Sequence, residues 1–137
     1  MYPYRYEEKG GTAAAAKALN VAEHTVIKTL VMETEAKEPF LVLMHGDMKV
    51  SVKALAATLK IKNAAPCMPE TAHKHTGYFT GGISPFGTKK PLEVYMEASI
   101  ASIERIYINA GKRGLLVQIA VKDLVRILNP KLVNVAI

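Results

Sequence analysis

The chain has 137 residues, half of them hydrophobic and 22% charged, a composition that fits one globular domain and excludes a disordered chain. Its single cysteine, Cys67, excludes an internal disulfide framework, and no apolar run approaches the ~20 residues of a membrane helix. Eighteen Lys and Arg against twelve Asp and Glu leave a net charge of +6 without any basic tail, so folding has to assemble the basic surface, and its partner of choice is a polyanion such as nucleic acid.

No linker, repeat or low-complexity block interrupts residues 1–137, which are read as one domain. Met1 to Arg5 is aromatic and polar, without a secretory leader pattern, so a reducing, cytoplasmic setting is expected. Thr12 precedes a run of helix formers from Ala13 to Leu19, which Thr12 caps and Asn20 ends in a left-handed turn. Val26 to Met32 is β-branched and apolar, a buried strand. Phe40 to Met44 is a second strand, joined to the first as a hairpin. Ser51 caps a helix over Val52 to Leu59 that buries Ala54, Leu55 and Leu59. Pro69 and Gly77 bracket a helix over Glu70 to Thr76.

Gly77 to Pro91 is rich in Gly and Pro and reads as a long loop. Leu92 to Met96, Arg105 to Asn109 and Leu115 to Ala120 are strands, the last two joined by a turn at Gly111 to Gly114. Val121 to Leu128 is the last helix, and Leu132 to Val135 a final edge strand. Hairpins dominate, which predicts an α/β (α+β) domain: a mixed, mostly antiparallel sheet with helices beside it.

Three segments carry chemistry. Lys28 lies inside Val26-Ile27-Lys28-Thr29-Leu30-Val31, on the face of Val26, Leu30 and Met32. An ammonium there is costly unless an anion or a dipole meets it; a phosphate or a polarised carbonyl would serve, and so would an edge position from which the side chain reaches water. The second segment is Thr76-Gly77-Tyr78-Phe79-Thr80-Gly81-Gly82-Ile83-Ser84-Pro85-Phe86-Gly87. Its glycines let backbone amides approach a ligand as an anion nest or oxyanion site, although a structural loop under Tyr78 and Phe86 fits equally. It lacks the Lys-Ser/Thr of a P-loop. The third is Asn109-Ala110-Gly111-Lys112-Arg113-Gly114, a tight turn that offers Lys112 and Arg113 either to phosphate or to solvent.

Other signals are weaker. His73 and His75 point to different helix faces, so with Cys67 they do not make a shared zinc site. His24 and His45 read as loop or strand-end residues. No triad, paired carboxylates, metal site or cofactor motif is evident.

In this order, the segments around Lys28, Gly77 to Gly87 and Gly111-Lys112-Arg113-Gly114-Leu115 resemble the YbaK/prolyl-tRNA-synthetase editing-domain family of aminoacyl-tRNA deacylases. The likeness runs from about Thr12 through Asp123-Leu124. Gly-Gly-Ile-Ser-Pro-Phe-Gly-Thr-Lys-Lys and Gly-Lys-Arg-Gly-Leu resemble the branch that acts on Cys-tRNA(Pro). The resemblance implies a barrel-like sheet and hydrolysis of the ester joining a wrong amino acid to tRNA, with prolyl-tRNA synthetase as a candidate partner. It sets Lys28 on the family's essential strand lysine and Gly77 to Gly87 on its substrate-binding loop. Tyr6, in Arg5-Tyr6-Glu7-Glu8, is aligned with a tyrosine of the N-terminal strand. Three features depart from the family: a short N-terminus, which bears on amino-acid specificity; Ser51-Val52 at a helix start that is acidic-aliphatic in the family; and Ala120-Val121 in place of a capping Ser-Pro.

The expected mechanism has the Gly81 and Gly82 amides donate to the oxyanion while Lys28 holds the terminal phosphate or ribose. Water or the substrate's own thiol attacks. Thr29, Gly77, Tyr78, Ser84, Pro85, Gly87, Gly111, Lys112 and Arg113, with Tyr6, complete the expected tRNA-binding set; no metal or other cofactor is called for. Two other readings stay open on the residues alone: a non-catalytic tRNA-binding module, and a small-molecule hydrolase pairing Lys28 with Ser84.

Overall fold

The computed structural model describes residues 1–7 and 10–137; Glu8 of the Tyr6 motif lies outside them. Eight strands and four helices alternate: β1 (Tyr2–Pro3), α1 (Gly11–Leu19), β2 (Val26–Thr34), β3 (Pro39–His45), α2 (Val52–Leu59), β4 (Ala64–Pro66), α3 (Pro69–Thr76), β5 (Glu93–Glu97), β6 (Arg105–Asn109), β7 (Leu115–Ala120), α4 (Val121–Leu128) and β8 (Lys131–Val133). Short 3-10 turns precede β2 and follow β5. The strands lie in the order β1-β7-β6-β2-β3-β5-β8, with β4 also paired to β2.

The α/β class and the mixed sheet match expectation. Four pairings are antiparallel and three parallel, so the antiparallel majority is narrow. The strand path has two ends, β1 and β8, and does not close into a barrel.

Period-2 alternation divides the sheet into two packed faces. Ile27, Val31, Leu41, Leu43, Ile106 and Ile108 point to one face, against Ala72 of α3 and Leu124 of α4. Met32, Phe40, Val42 and Met44 point to the other, against Leu55 of α2 and Val133 and Val135 of the C-terminal segment. Val26 shares that second face with Tyr107, under Ala15 and Ala16 of α1.

Local chemistry explains most boundaries. Ser51 accepts a hydrogen bond from the Ala54 amide at 3.2 Å and so starts α2. Asn20 leaves α1 at φ +56°. The expected Thr12 cap is not used: the cap position is Gly10. Thr12 Oγ1 turns outward from the helix, donating to Glu23 Oε2 at 2.7 Å and lying 3.1 Å from the Gly46 carbonyl oxygen.

One buried carboxylate ties the C-terminal segment to the sheet. Glu97 is 5% exposed. Its Oε1 accepts from the Val135 and Ala136 amides at 2.8 and 3.1 Å, and its Oε2 accepts from Ser99 Oγ at 3.1 Å. Burial alone raises its pKa, but the bonds from Val135, Ser99 and Ala136 outweigh it and leave the carboxyl below its ordinary 4.5. A folded pKa below the unfolded one stabilises the fold above the unfolded pKa and is lost as pH falls through the folded value. Glu97→Gln is therefore expected to cost about 2 kcal/mol at pH 7. In denaturant melts, the variant loses less further stability than wild type between pH 5 and pH 3. An equal acid loss in both proteins would contradict the assignment.

Candidate functional site

Lys28 is held at a fixed place because β2 is the most heavily paired strand. It is in register with β3 over Ile27 to Glu33, with β4 over Met32 to Thr34, and with β6 at Val26 and Ile27. Lys28 stands opposite Met44, on the Val26–Met32 face, as its sequence spacing predicts. Its ammonium donates to the Met48 carbonyl oxygen. Burial pushes its pKa below the usual 10.5; Glu23 and Asp47 act against that shift, and Lys49 adds to it. Both of those carboxylates have nearer partners: Thr12 for Glu23 and His24 for Asp47. Among the described residues Lys28 forms no ion pair. A half-buried cation with no carboxylate in ion-pair contact can accept an anionic ligand.

The glycine loop and the β6–β7 turn interlock. Asn109 Nδ2 donates to the Gly81 carbonyl oxygen at 2.7 Å, and Arg113 Nε donates to that of Thr80 at 2.7 Å. The Arg113 guanidinium lies 5.1 Å from the centre of the Tyr6 ring. Two glycines are required by contact. Gly81 has φ +90°, and a Cβ there would come within 2.8 Å of the Tyr6 ring. A Cβ on Gly82 would come within 2.9 Å of the Arg113 backbone nitrogen. Tyr78 fills the angle between loop and turn: its ring packs on Gly111 and its hydroxyl donates to the Phe86 carbonyl oxygen.

Loop and lysine are related through the sheet. In the parallel β2–β6 pair, Val26 aligns with Tyr107 and Ile27 with Ile108, and aligned residues share a face. The pairing ends there; by strand alternation Lys28 lies on the face of Val26 and Asn109 on that of Tyr107, which is the same face of the sheet. Asn109 is the residue that grips Gly81.

The geometry thus groups Tyr6, Tyr78, Gly81, Gly82, Gly111, Lys112 and Arg113; Lys28 shares a sheet face with Asn109, but among the described residues its ammonium bonds to Met48 and touches none of the loop. Four expectations need correction or narrowing. The Gly82 amide already donates to the Phe79 carbonyl oxygen at 2.9 Å, so it is not available to an oxyanion. Among the described residues no partner engages the Gly81 amide. Ser84 is buried and its Oγ accepts from the Phe86 amide at 3.1 Å; it shares no hydrogen bond with Lys28, which removes the basis for a Ser-Lys pair. Thr29, one residue on from Lys28, faces the opposite side of the sheet, opposite Leu43. Gly77 ends α3 at φ +82°, while Pro85 is buried and Gly87 turns the chain at φ +60°; they shape the loop from within.

Two features were not foreseen from sequence. Asn109 is the pin, for which the only signal is an Asn at a strand end before Ala-Gly. The other is a cluster of His24, His45 and Asp47 with ligand atoms within 4.8 Å of one another. The two imidazoles stack at 3.7 Å and 7°, and His45 already uses Nδ1 on the His24 carbonyl oxygen and Nε2 on Ser99 Oγ. A metal lies in the plane of each imidazole that binds it, and parallel stacked rings have no common plane, so this arrangement does not fit a shared ion. A separate depression of about 530 Å3, lined by Ile103, Arg105, Val121 and Val125 among others, contains none of the expected site residues.

The family model for the aminoacyl-tRNA editing domain matches residues 7–127. The chain belongs to that family and is an aminoacyl-tRNA deacylase by class. It is 26% identical over 129 residues to the Enterococcus faecalis protein named "Putative Cys-tRNA(Pro)/Cys-tRNA(Cys) deacylase EbsC", covering 93% of this chain and 79% of that one. It is 28% identical over 96 residues to the proline–tRNA ligase of Brachyspira hyodysenteriae, covering 70% of this chain and 17% of the ligase. A crystal structure described as "a putative trans-editing enzyme for prolyl tRNA synthetase" superposes with a TM-score of 0.86 at 19% identity, over 96% of this chain and 83% of that one. No helix among the described residues is long and apolar enough to cross a membrane.

The Thr29 hydroxyl provides a test of the two-face geometry. Its Oγ1 is buried without any hydrogen-bond partner among the described residues, which costs roughly 1–3 kcal/mol. Thr29→Val removes that hydroxyl at nearly constant volume and is expected to raise the melting temperature by about 3 °C. A lower melting temperature in calorimetry would mean that the hydroxyl has a partner.

Proposed function

We propose that the protein edits mischarged tRNA in trans, hydrolysing the ester of Cys-tRNA(Pro), and that Lys28 and the Gly81 amide are the groups that meet the substrate. One observation supports the reading: by alternation Lys28 shares its sheet face with Asn109, and Asn109 holds Gly81 through its carbonyl. The chain's likeness to a protein named for Cys-tRNA(Pro) supports the choice of amino acid. Its likeness to part of a proline–tRNA ligase supports association with prolyl-tRNA synthetase.

An aminoacyl ester is reactive, so positioning and one well-aimed donor suffice. Lys28 exchanges its bond to the Met48 carbonyl for the terminal phosphate or ribose and orients the ester. The Gly81 amide donates to the carbonyl oxygen as it becomes an oxyanion; such a donor is typically worth ~10²–10³ in rate. With cysteine as the amino acid, its own thiol attacks the ester carbonyl. A C–S bond forms, the C–O bond to the ribose breaks, the ribose oxygen takes the thiol proton, and water then opens the released thiolactone to cysteine, completing the hydrolysis. Serine and alanine lack that thiol and depend on water. Tyr6, packed on Gly81, and Tyr78, packed on Gly111, keep the loop in shape, while Lys112 and Arg113 offer charge to the acceptor stem.

Lys28→Met tests the assignment. It replaces a costly half-buried ammonium with an apolar side chain of similar length, so the melting temperature stays the same or rises. Clearance of Cys-tRNA(Pro) falls by roughly a hundredfold. In a panel of Cys-, Ser- and Ala-charged tRNA(Pro), the wild type clears the cysteinyl ester fastest. A Lys28→Met rate within twofold of wild type contradicts the role of the lysine, and faster clearance of the alanyl ester contradicts the substrate.

A further inference from the structure

Phe79 is 66% exposed at the tip of the glycine loop, in a segment otherwise used to bring polar backbone toward a ligand. One face of its ring stacks on His73 at 4.3 Å between centroids and 15° between planes. His73 is fixed beneath it, because Nδ1 donates to the Tyr78 carbonyl oxygen at 3.2 Å. The stack therefore has a rigid base and an open outer face.

Cations predominate in the two segments that meet here, with acids at their margins: Glu70 opens α3, and Glu33 acts on His75. Residues 71–92 contain Lys74, Lys89 and Lys90 and no Asp or Glu; residues 105–122 contain Arg105, Lys112, Arg113 and Lys122 and again no acid, Lys112 and Arg113 being the two in the turn. The Lys89 and Lys90 amides donate to the carbonyls of Thr76 and His75 at 3.0 Å each, which folds these lysines back against the end of α3 that carries His73 and Lys74. Arg113 reaches the carbonyl of Thr80, the residue after Phe79.

An open aromatic face inside a cationic collar is the arrangement that binds unpaired bases of single-stranded nucleic acid: the ring stacks on the base and the cations follow the backbone. We propose that Phe79, supported by His73, is a stacking platform for an unpaired base of the single-stranded 3′ end of tRNA, with Lys74, Lys89, Lys90 and Arg113 neutralising the adjoining phosphates. The inference rests on the tRNA reading above and adds the subsite that holds the RNA beside the ester. Phe79 contributes to binding and takes no part in the chemical step.

The chain has no tryptophan, so Phe79→Trp supplies a single fluorophore at the platform. Titration with an acceptor-stem RNA ending in unpaired CCA is expected to quench it to saturation, with affinity falling as salt rises. The same stem with a blunt end, or heparin, leaves the emission nearly unchanged. Phe79→Ala, at an exposed position, keeps the fold, raises the KM for Cys-tRNA(Pro) roughly tenfold and changes kcat little. Unchanged emission at RNA concentrations that saturate deacylation, or equal quenching by blunt RNA or heparin, overturns the platform. Quenching by CCA-ended RNA without any ester clearance upholds the platform and overturns the substrate reading instead.

Discussion

The multiple pairing of β2 is the constraint on which the rest of the structure depends. With β3 along nearly its whole length, β6 at one end and β4 at the other, its register cannot slip, because one step would exchange its two faces. Lys28 is thereby kept on one face and Thr29 on the other. The cost of setting an ammonium among Val26, Leu30 and Met32 is met by packing elsewhere in the strand, where Ile27, Val31 and Met32 are almost fully buried. Among the described residues the lysine's one hydrogen-bond partner is a backbone carbonyl, with Glu23 and Asp47 acting on it from beyond ion-pair distance.

The second half of the site is organised by close approach. The loop is approached closely where a side chain would not fit, at Gly81 by Tyr6 of the N-terminal segment and at Gly82 by Arg113 of the turn. Asn109 and Arg113 then hold the loop carbonyls. The Gly81 amide has no partner among the described residues, and in the proposed function it is the donor to the substrate. Rigidity matters to such a donor: a pre-aimed amide loses nothing to reorganisation when charge develops on the substrate. Arg113 thus belongs to the loop's support as well as to the basic surface.

Much of this was legible in the sequence, for physical reasons specific to each segment. A lysine within a β-branched apolar run reveals its strand, and period-2 geometry gives the face it shares with Val26, Leu30 and Met32. The Ser51 cap and the Gly77 exit mark helix ends through chemistry that acts within a few residues. What depends on distant partners was not legible. Ala64–Pro66 is too short and too poor in β-branched residues to signal a strand, and forms because the far end of β2 has an unfilled edge. The parallel pairings β2–β6 and β3–β5 join segments far apart in sequence. Thr12 has the right chemistry for a cap but finds Glu23 and Gly46 instead. For the site, the glycine spacing revealed a loop with accessible amides but not which amide the fold would consume; the Phe79 carbonyl takes that of Gly82.

The central claim is that one ammonium and one backbone amide, on different elements, converge on the same ester. The most direct measurement is 15N NMR of the Gly81 amide and the Lys28 side-chain ammonium during titration with a non-hydrolysable 3′-cysteinyl-adenosine analogue. The account predicts that both resonances move together and saturate at the same ligand concentration, while the Gly82 amide, already bonded, moves little. Movement of only one of the two groups at saturation would contradict it.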